Sequence, residues 1–367
     1  MRKFLCLLIL TAFSFILLPR SAFALDISAK GYVLLEADST HIVCGKNEHT
    51  RLPMASTTKI MTALVVLENA ELDDIVTIEP CMVGIEGSSI YIHPGERLTV
   101  EELLYALLLE SANDASVALA IHVSGSVDSF ADLMNEKAKE MGLTNTHFTN
   151  PHGLDNVDHY TTPYELGIIA TQALKNEIFA KIVSTKSITI PLNNGEGTRV
   201  LVNHNRLLRS YDGATGIKTG YTKHCGRCLV SSATRNGVTL VCVTLNAPND
   251  WQAHKELLDY GFTQYESLTL ATADSYTIEL NAIGGEKSTF LAKNIDDLKV
   301  TVKQQKHNIR AVLEANRLIS APIKEGDVVG RICFYDYDTL IGSVLLYSTE
   351  TINKLNFKKS FFERIFS

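Results

Sequence analysis

The stretch Pro53-Met54-Ala55-Ser56-Thr57-Thr58-Lys59 opens a run rich in Ala, Leu, Met and Ile that continues to Asn69. Apolar residues recur along this run at helical spacing, so the sequence predicts a helix over residues 56–69. Ser56 and Lys59 are three residues apart, which places both side chains on one face of its first turn. A hydroxyl and an amine placed in this way are a candidate nucleophile and a candidate base.

Such a pair works only when the amine is neutral. A serine hydroxyl is a poor nucleophile at neutral pH until a base takes its proton. Lysine becomes that base only if burial or a neighbouring cation lowers its pKa. A second lysine, Lys218, is a candidate for the neighbouring cation. The positive end of the helix dipole would also favour the negative charge that develops on Ser56.

Two further strings follow in a fixed order, Ser111-Ala112-Asn113 and Lys218-Thr219-Gly220. The patterns Ser-x-x-Lys, Ser-x-Asn and Lys-Thr-Gly each occur once in the 367 residues. Any one of them is weak evidence, but the ordered triple is typical of penicillin-recognising serine enzymes, with Ala112 where the middle string usually carries Asp. The chain therefore resembles the low-molecular-mass penicillin-binding proteins, which are D-alanyl-D-alanine carboxypeptidases.

The resemblance implies a role for each motif residue. Ser56 would be the nucleophile, Lys59 the general base and Ser111 the relay that carries a proton toward the leaving amine. The amide of Asn113 would hold the substrate backbone.

The third motif lies on a predicted strand edge. The cation of Lys218 and the hydroxyl of Thr219 suit a terminal carboxylate, and Gly220 allows close approach of a peptide. By resemblance, the backbone N–H groups of Ser56 and Tyr221 would form the oxyanion hole.

The likeness extends beyond these motifs. Similar stretches include His93-Pro94-Gly95-Glu96, Asn150-Pro151-His152-Gly153-Leu154 and Gly213-Ala214-Thr215-Gly216-Ile217. The resemblance implies a β-lactamase/transpeptidase-like catalytic domain of the α/β (α+β) class, which we assign to residues 25–265. Residues 268–346 hold short alternating runs separated by turn residues, which predicts a small all-β domain.

Both termini carry signals for location. Residues 1–24 combine a basic start, an apolar run and a small-x-small pattern ending at Ala24, which predicts a signal peptide and an exported protein. Its removal leaves 31 Lys and Arg against 41 Asp and Glu, a balance that argues against a nucleic-acid partner. Residues 352–367 are basic and rich in Phe, which predicts an amphipathic helix that binds a membrane surface.

These observations predict a serine D-Ala-D-Ala carboxypeptidase that trims the terminal D-alanine from peptidoglycan stem pentapeptides. By resemblance, β-lactam antibiotics would be covalent inhibitors. Neither a cofactor nor a metal is expected, because the histidines and cysteines show no metal-ligand spacing. Two alternatives stay open, a class A-like β-lactamase and a catalytically silent envelope-binding protein. The first lacks its expected Glu-x-x-Leu-Asn string, and the intact triple argues against the second.

Overall fold

The structure is a computed structural model that describes residues 25–316 and 318–355. Its helices are α1 (Lys59–Asn69), α2 (Val100–Leu109), α3 (Asn113–Ser124), α4 (Val127–Glu140), α5 (Pro163–Leu174), α6 (Glu177–Ser184), α7 (Leu207–Ser210) and α8 (Asp250–Phe262). The first strands are β1 (Gly31–Glu36), β2 (Ile42–Lys46), β3 (Ile75–Thr77), β4 (Arg97–Thr99), β5 (Ser187–Leu192), β6 (Gly197–Val202), β7 (Ala214–Thr222), β8 (Gly226–Arg235) and β9 (Val238–Leu245). The remaining strands are β10 (Tyr265–Ala271), β11 (Thr277–Ile283), β12 (Thr289–Lys293), β13 (Leu298–Lys303), β14 (Ile309–Ala315), β15 (Ile319–Ser320), β16 (Val328–Asp336) and β17 (Thr339–Ser348).

A five-stranded antiparallel sheet organises the first part of the chain, with the strand order β2-β1-β9-β8-β7. Every residue of β1 is buried, because helices cover the sheet on both faces. Helix α8 covers one face, where Leu257 and Leu258 join a core cluster with Leu34 and Leu240. Helices α1 to α6 form a body on the opposite face, in which α5 packs on β1 and β9. This layered architecture confirms the predicted mixed fold class and leaves β7 as an edge strand.

The predicted helix over residues 56–69 begins with a distorted turn. Residues Ala55–Thr58 form one turn of 3₁₀-helix, and α1 continues from Lys59. The pattern Thr99-x-x-Glu102 before a Leu-rich run predicts a helix with a capping box, and α2 confirms it: Glu102 N–H donates to Thr99 Oγ1, and Thr99 N–H donates to Glu102 Oε2.

Two features depart from the sequence-based expectation. The sequence of residues 164–180 predicts a single helix, and this prediction is wrong, because α5 ends before Lys175 and α6 starts anew after Asn176. The Asn176 carboxamide accepts hydrogen bonds from two backbone N–H groups of α6, so it caps a new helix. The hairpin β5–β6 was not predicted, and it lies against the α2 side of the helical body.

The second part of the chain is all-β, as predicted. A six-stranded sheet with the order β14-β16-β17-β12-β11-β15 adjoins the pair β10–β13. Its core contains Phe290, Phe334 and Leu346.

The two terminal segments from which the location was predicted lie largely outside the described residues. The predicted signal peptide, residues 1–24, and residues 356–367 of the predicted tail helix lie outside the described residues. The prediction of a helix is wrong for residues 352–355, because Ile352 and Lys354 form β-bridges with Ile323 and Gly285. Within the described part of the chain, no single helix is long and apolar enough to cross a membrane, and only α3 and α4 together, bent by 81°, meet that criterion of length and composition.

Candidate active site

Ser56 lies in the 3₁₀ turn that precedes α1, and its partner Lys59 is the first residue of that helix. Lys59 Nζ lies 3.3 Å from Ser56 Oγ. The same ammonium or amine nitrogen donates to Asn113 Oδ1 and to the backbone carbonyl of His152, each at 2.6 Å. Three oxygens therefore fix the position of Nζ beside the serine hydroxyl.

The environment of Lys59 favours its neutral form. The side chain is completely buried, and burial holds the pKa of Lys59 well below its ordinary value. The nearby cation of Lys218 lowers that pKa further, while the Asp114 carboxylate acts in the opposite direction. A neutral amine in hydrogen-bond range of a hydroxyl can accept its proton.

The backbone before the serine adopts an unusual conformation that its surroundings hold in place. Ala55 has φ +48°, in the left-handed region that residues other than glycine rarely adopt. The Ala55 carbonyl accepts a hydrogen bond of 2.8 Å from Thr58 Oγ1. A Cβ atom at Gly153 would lie 2.0 Å from the same carbonyl oxygen, so the loop can pack here only with glycine.

His159 extends this support through its ring. Its Nδ1 accepts a 3.0 Å hydrogen bond from Thr149 N–H, which leaves the proton on Nε2. Nε2 lies 2.7 Å from Thr58 Oγ1 and donates to it, since the Thr58 hydroxyl itself donates to Ala55. Burial lowers the pKa of His159 to about 4, so the ring is neutral at physiological pH. This histidine supports the serine turn.

The second motif meets the first at Lys59. Asn113 begins α3 and is buried, and its amide nitrogen donates to the Glu86 carbonyl while its oxygen accepts from Lys59. The adjacent Asp114 accepts hydrogen bonds from Ser89 Oγ and from the backbone of residues 90 and 92, which ties their loop to α3. Ser111 has φ +60° and lines the same pocket as Ser56.

The third motif brings β7 directly beside the serine turn. A Cβ atom built on Gly220 would lie 3.1 Å from Ser56 N and 3.2 Å from Thr57 N. Lys218 is 1% exposed, and its Nζ donates to the Thr219 carbonyl at 3.0 Å. Burial lowers the pKa of Lys218 to about 7, against an opposing effect of Glu110.

A pocket of about 320 Å³ opens over these groups. Its walls include five residues predicted from the sequence, namely Ser56, Ser111, Thr219, Gly220 and Tyr221, whereas Asn113 and Lys218 are buried and do not line it. Six further wall residues were not predicted from the sequence, which are Ser88, His204, Arg206, Arg227, Asp250 and Trp251. No local pattern marks them; the one available signal is that Trp251 is the single tryptophan of the chain.

The cysteines and histidines of the described residues form no group of three or more metal-ligating side chains, and Cys225 and Cys228 are unpaired thiols. Cys225 Sγ instead lies 3.2 Å from Asp155 Oδ1, which also accepts from Thr222 Oγ1. These contacts connect the loop that follows His152 to the turn after β7.

Comparison with known protein families matches almost the whole chain. The family model described as D-alanyl-D-alanine carboxypeptidase matches residues 19–249, and the model described as penicillin-binding protein 5, C-terminal domain, matches residues 265–354. D-alanyl-D-alanine carboxypeptidase DacF of Bacillus subtilis is 32% identical over 90% of this chain and 87% of that relative. D-alanyl-D-alanine carboxypeptidase DacC of Escherichia coli is also 32% identical, over 88% of this chain and 86% of its own length.

Solved structures agree with these sequence matches. Penicillin binding protein 5 from Haemophilus influenzae superposes with a TM-score of 0.67 at 30% identity and covers 89% of this chain and 98% of its own. The Streptomyces K15 DD-transpeptidase superposes with a TM-score of 0.62 at 37% identity over 64% of this chain and 97% of its own. Neither the β-lactamase nor the silent envelope-binding alternative is favoured by these matches. The chain therefore belongs to the D-alanyl-D-alanine carboxypeptidase family of serine-type peptidases.

Proposed function

We propose that this carboxypeptidase removes the terminal D-alanine from peptidoglycan stem pentapeptides through an acyl-enzyme on Ser56. The observation that carries the proposal is the buried Lys59 amine, which lies 3.3 Å from Ser56 Oγ and has a lowered pKa. A nucleophile and a neutral base are thus adjacent at the floor of an open pocket.

Acylation follows from this geometry. Lys59 Nζ takes the proton of Ser56 Oγ as the oxygen attacks the carbonyl carbon of the penultimate D-alanine. The negative charge on the carbonyl oxygen is stabilised by the backbone N–H groups of Ser56 and Tyr221. The C–N bond then breaks, and the proton passes by way of Ser111 to the amine of the departing D-alanine. The Asn113 carboxamide oxygen holds Lys59 Nζ in position, so Asn113 acts on the base and not, as the sequence predicts, on the substrate backbone. Lys218 keeps the pKa of Lys59 low.

Deacylation reverses the same proton movements. A water molecule attacks the ester carbon while neutral Lys59 takes its proton, and Ser56 Oγ leaves with that proton restored. A β-lactam enters by the same first step, but its amine stays tethered after the ring opens, so the adduct persists. We accordingly expect β-lactam antibiotics to be covalent inhibitors.

We also propose that the protein acts outside the cytoplasmic membrane as a peripheral protein. Its support is the sequence of residues 1–24, which has the features of a signal peptide, and the basic, Phe-rich sequence of residues 352–367. Because the chain is extended to Leu355, the proposed membrane-surface helix is confined to residues 356–367.

The test of the catalytic proposal is covalent trapping. Purified protein is incubated with a fluorescent penicillin and with a peptide ending in D-Ala-D-Ala, and the adduct is located by peptide mapping. We expect the label on the fragment that contains Ser56 and release of D-alanine from the peptide, with both lost in Ser56→Ala. A label that persists in Ser56→Ala would contradict the assignment.

A further inference from the structure

The wall of the active-site pocket contains accessible positive charge that the mechanism above does not use. Arg206 and Arg227 both line the pocket, and their guanidinium carbons lie 6.0 and 5.9 Å from the ring centre of Trp251. Both side chains belong to exposed residues. A pocket that receives a peptide with a free C-terminus needs a cation for its carboxylate.

Lys218 is poorly placed to be that cation. Its side chain is 1% exposed, and Nζ is occupied by the Thr219 carbonyl. Successive residues of a strand point to opposite faces of its sheet, so Lys218 and Thr219 face opposite ways. The Thr219 hydroxyl therefore needs a cationic partner from its own face.

Arg227 is on that face. In the antiparallel register of β7 and β8, Arg227 is paired with Tyr221, which stands two residues after Thr219. Thr219, Tyr221 and Arg227 consequently share one side of the sheet, and all three line the pocket. This is the side on which α8 presents Asp250 and Trp251.

Asp250 holds the Arg227 guanidinium in a fixed orientation. Nε and Nη2 each lie 3.0 Å from Asp250 Oδ1, and the Asp250 side chain is only 3% exposed. The Arg227 side chain is 43% exposed, and no hydrogen bond of its Nη1 occurs within the described residues. One edge of the guanidinium is thus used for positioning, while the other remains available to a ligand. Arg206 has no ion pair within residues 25–316 and 318–355, so nothing comparable orients it.

We propose that Arg227, positioned by Asp250, binds the carboxylate of the departing C-terminal residue together with the Thr219 hydroxyl. This inference rests on the proposed function and extends it, because it names the residue that selects substrates with a free C-terminus. Arginine suits the role, since its planar fork can donate to two oxygens of one carboxylate. Asp250 acts as a positioning residue.

The experiment compares two substrates that differ only in this carboxylate. Thioesters keep turnover measurable without the carboxylate, so an N-acyl-D-alanyl-thioglycolate is compared with its uncharged methylamide. We expect Arg227→Gln to lower kcat/KM for the carboxylate substrate about 10- to 100-fold, the range for losing a hydrogen bond to a charged group. For the methylamide, kcat/KM should change less than about twofold, because its leaving group carries no anion for Arg227 to bind.

A second variant separates the loss of the Arg227 hydrogen-bond donor from the change in net charge at the pocket. Removing Arg227 uncovers the Asp250 carboxylate, which would repel the substrate anion. The double change Arg227→Gln with Asp250→Asn removes that repulsion, and we expect it to recover only part of the lost kcat/KM. Arg331→Gln is the matched control, because Arg331 also forms an ion pair with a carboxylate on a strand, Glu314, but in the C-terminal sheet. Arg331→Gln should leave kcat/KM unchanged for both thioesters.

The outcomes are distinct. An equal loss on both thioesters in Arg227→Gln, or full recovery in the double variant, would overturn the role of Arg227. Failure of the wild-type protein to turn over either thioester and to form a penicillin adduct would instead overturn the proposed function.

Discussion

At the scale of single residues, the site is organised around the nitrogen of Lys59. The carboxamide of Asn113, the carbonyl of His152 and the hydroxyl of Ser56 all surround it. Of these three, the first two accept from Nζ at shorter distances than the serine does. They can hold the amine in position while the serine oxygen moves toward a substrate, so positioning of the base does not depend on its reaction partner.

Replacing Lys59 by arginine removes the base but keeps a positive charge at this position. Guanidinium cannot accept a proton near neutral pH, so we expect Lys59→Arg to lower the rate of penicillin acylation about 10²- to 10⁴-fold, the usual contribution of a general base. Lys218→Arg is the matched control, because it also places guanidinium at a buried lysine. Lys218→Arg should lower the acylation rate less than Lys59→Arg does, if Lys218 acts through its charge. Stopped-flow labelling with a fluorescent penicillin measures both rates, and a milder effect at Lys59 would mean that the two roles are exchanged.

The sequence predicted the residues of this cluster better than its surroundings. Ser56 and Lys59 are three residues apart, so a helical turn is enough to bring them together. His152 contributes only its carbonyl, which no side-chain pattern can reveal. Arg227 and Asp250 meet because α8 packs on β8, and this contact exists only once the sheet has formed.

At the scale of elements, the approach of β7 to the serine turn is the critical contact. Gly220 of β7 passes close to the backbone of Ser56 and Thr57. The neighbouring residues Thr219 and Tyr221 reach the pocket with their side chains. The strand can therefore line the pocket and leave the N–H of Ser56 accessible only if it carries no side chain at Gly220.

A methyl group at Gly220 tests this contact. In Gly220→Ala the Cβ would lie 3.1 Å from Ser56 N, tighter than ordinary contact, so β7 must shift by a few tenths of an ångström. We expect penicillin acylation to fall at least tenfold with little loss of thermal stability. Gly197→Ala is the control, since its Cβ would make ordinary contact at 3.4 Å with Leu192 in another hairpin. Equal acylation rates in the two variants would show that the close approach has no catalytic importance.

The elements that sequence patterns missed are those decided by local side-chain hydrogen bonds or by packing. The apolar pattern runs on through Lys175 and Asn176, and only the capping bonds of Asn176 divide α5 from α6. The β5–β6 hairpin is also held in place by hydrogen bonds to a distant segment, because Asn194 accepts from Arg97 N–H and donates to the Gly95 carbonyl. Periodicity alone carries neither kind of information.

At the scale of the whole molecule, the described structure changes how the tail should be tested. Ile352 is fully buried in the C-terminal core and exchanges backbone hydrogen bonds with Ile323. A chain ending at Glu350 would lose this residue and expose part of that core. A chain ending after Leu355 removes only residues 356–367 and is the cleaner truncation.

We expect the protein ending after Leu355 to be released into the soluble fraction of a cell lysate with full penicillin binding. The full chain should sediment with membranes, because the basic and Phe-rich tail would be lost from the truncated form alone. Fractionation followed by fluorescent penicillin labelling measures both properties. Membrane association that survives the truncation, in a protein whose signal peptide is shown to be cleaved, would exclude the tail as the anchor.

The two buried lysines also give the folded state a particular response to alkali. Lys218 has its pKa lowered to about 7 in the folded protein against an ordinary value of 10.5, so the unfolded chain binds more protons above pH 7. The free energy of unfolding should then rise with pH by up to about 1.4 kcal/mol per unit for this group, and Lys59 acts in the same direction. The slope becomes smaller above about pH 8.5, because burial raises the pKa of Cys225 to about 11 and that of Cys228 to about 12, so these thiols ionise first in the unfolded chain and offset the effect of the lysines.

Urea unfolding between pH 7 and 8.5 measures this slope, which should be smaller in Lys218→Met. Burying the two lysines that the catalytic arrangement requires thus lowers the free energy of unfolding near pH 7, and this destabilisation becomes smaller in mild alkali.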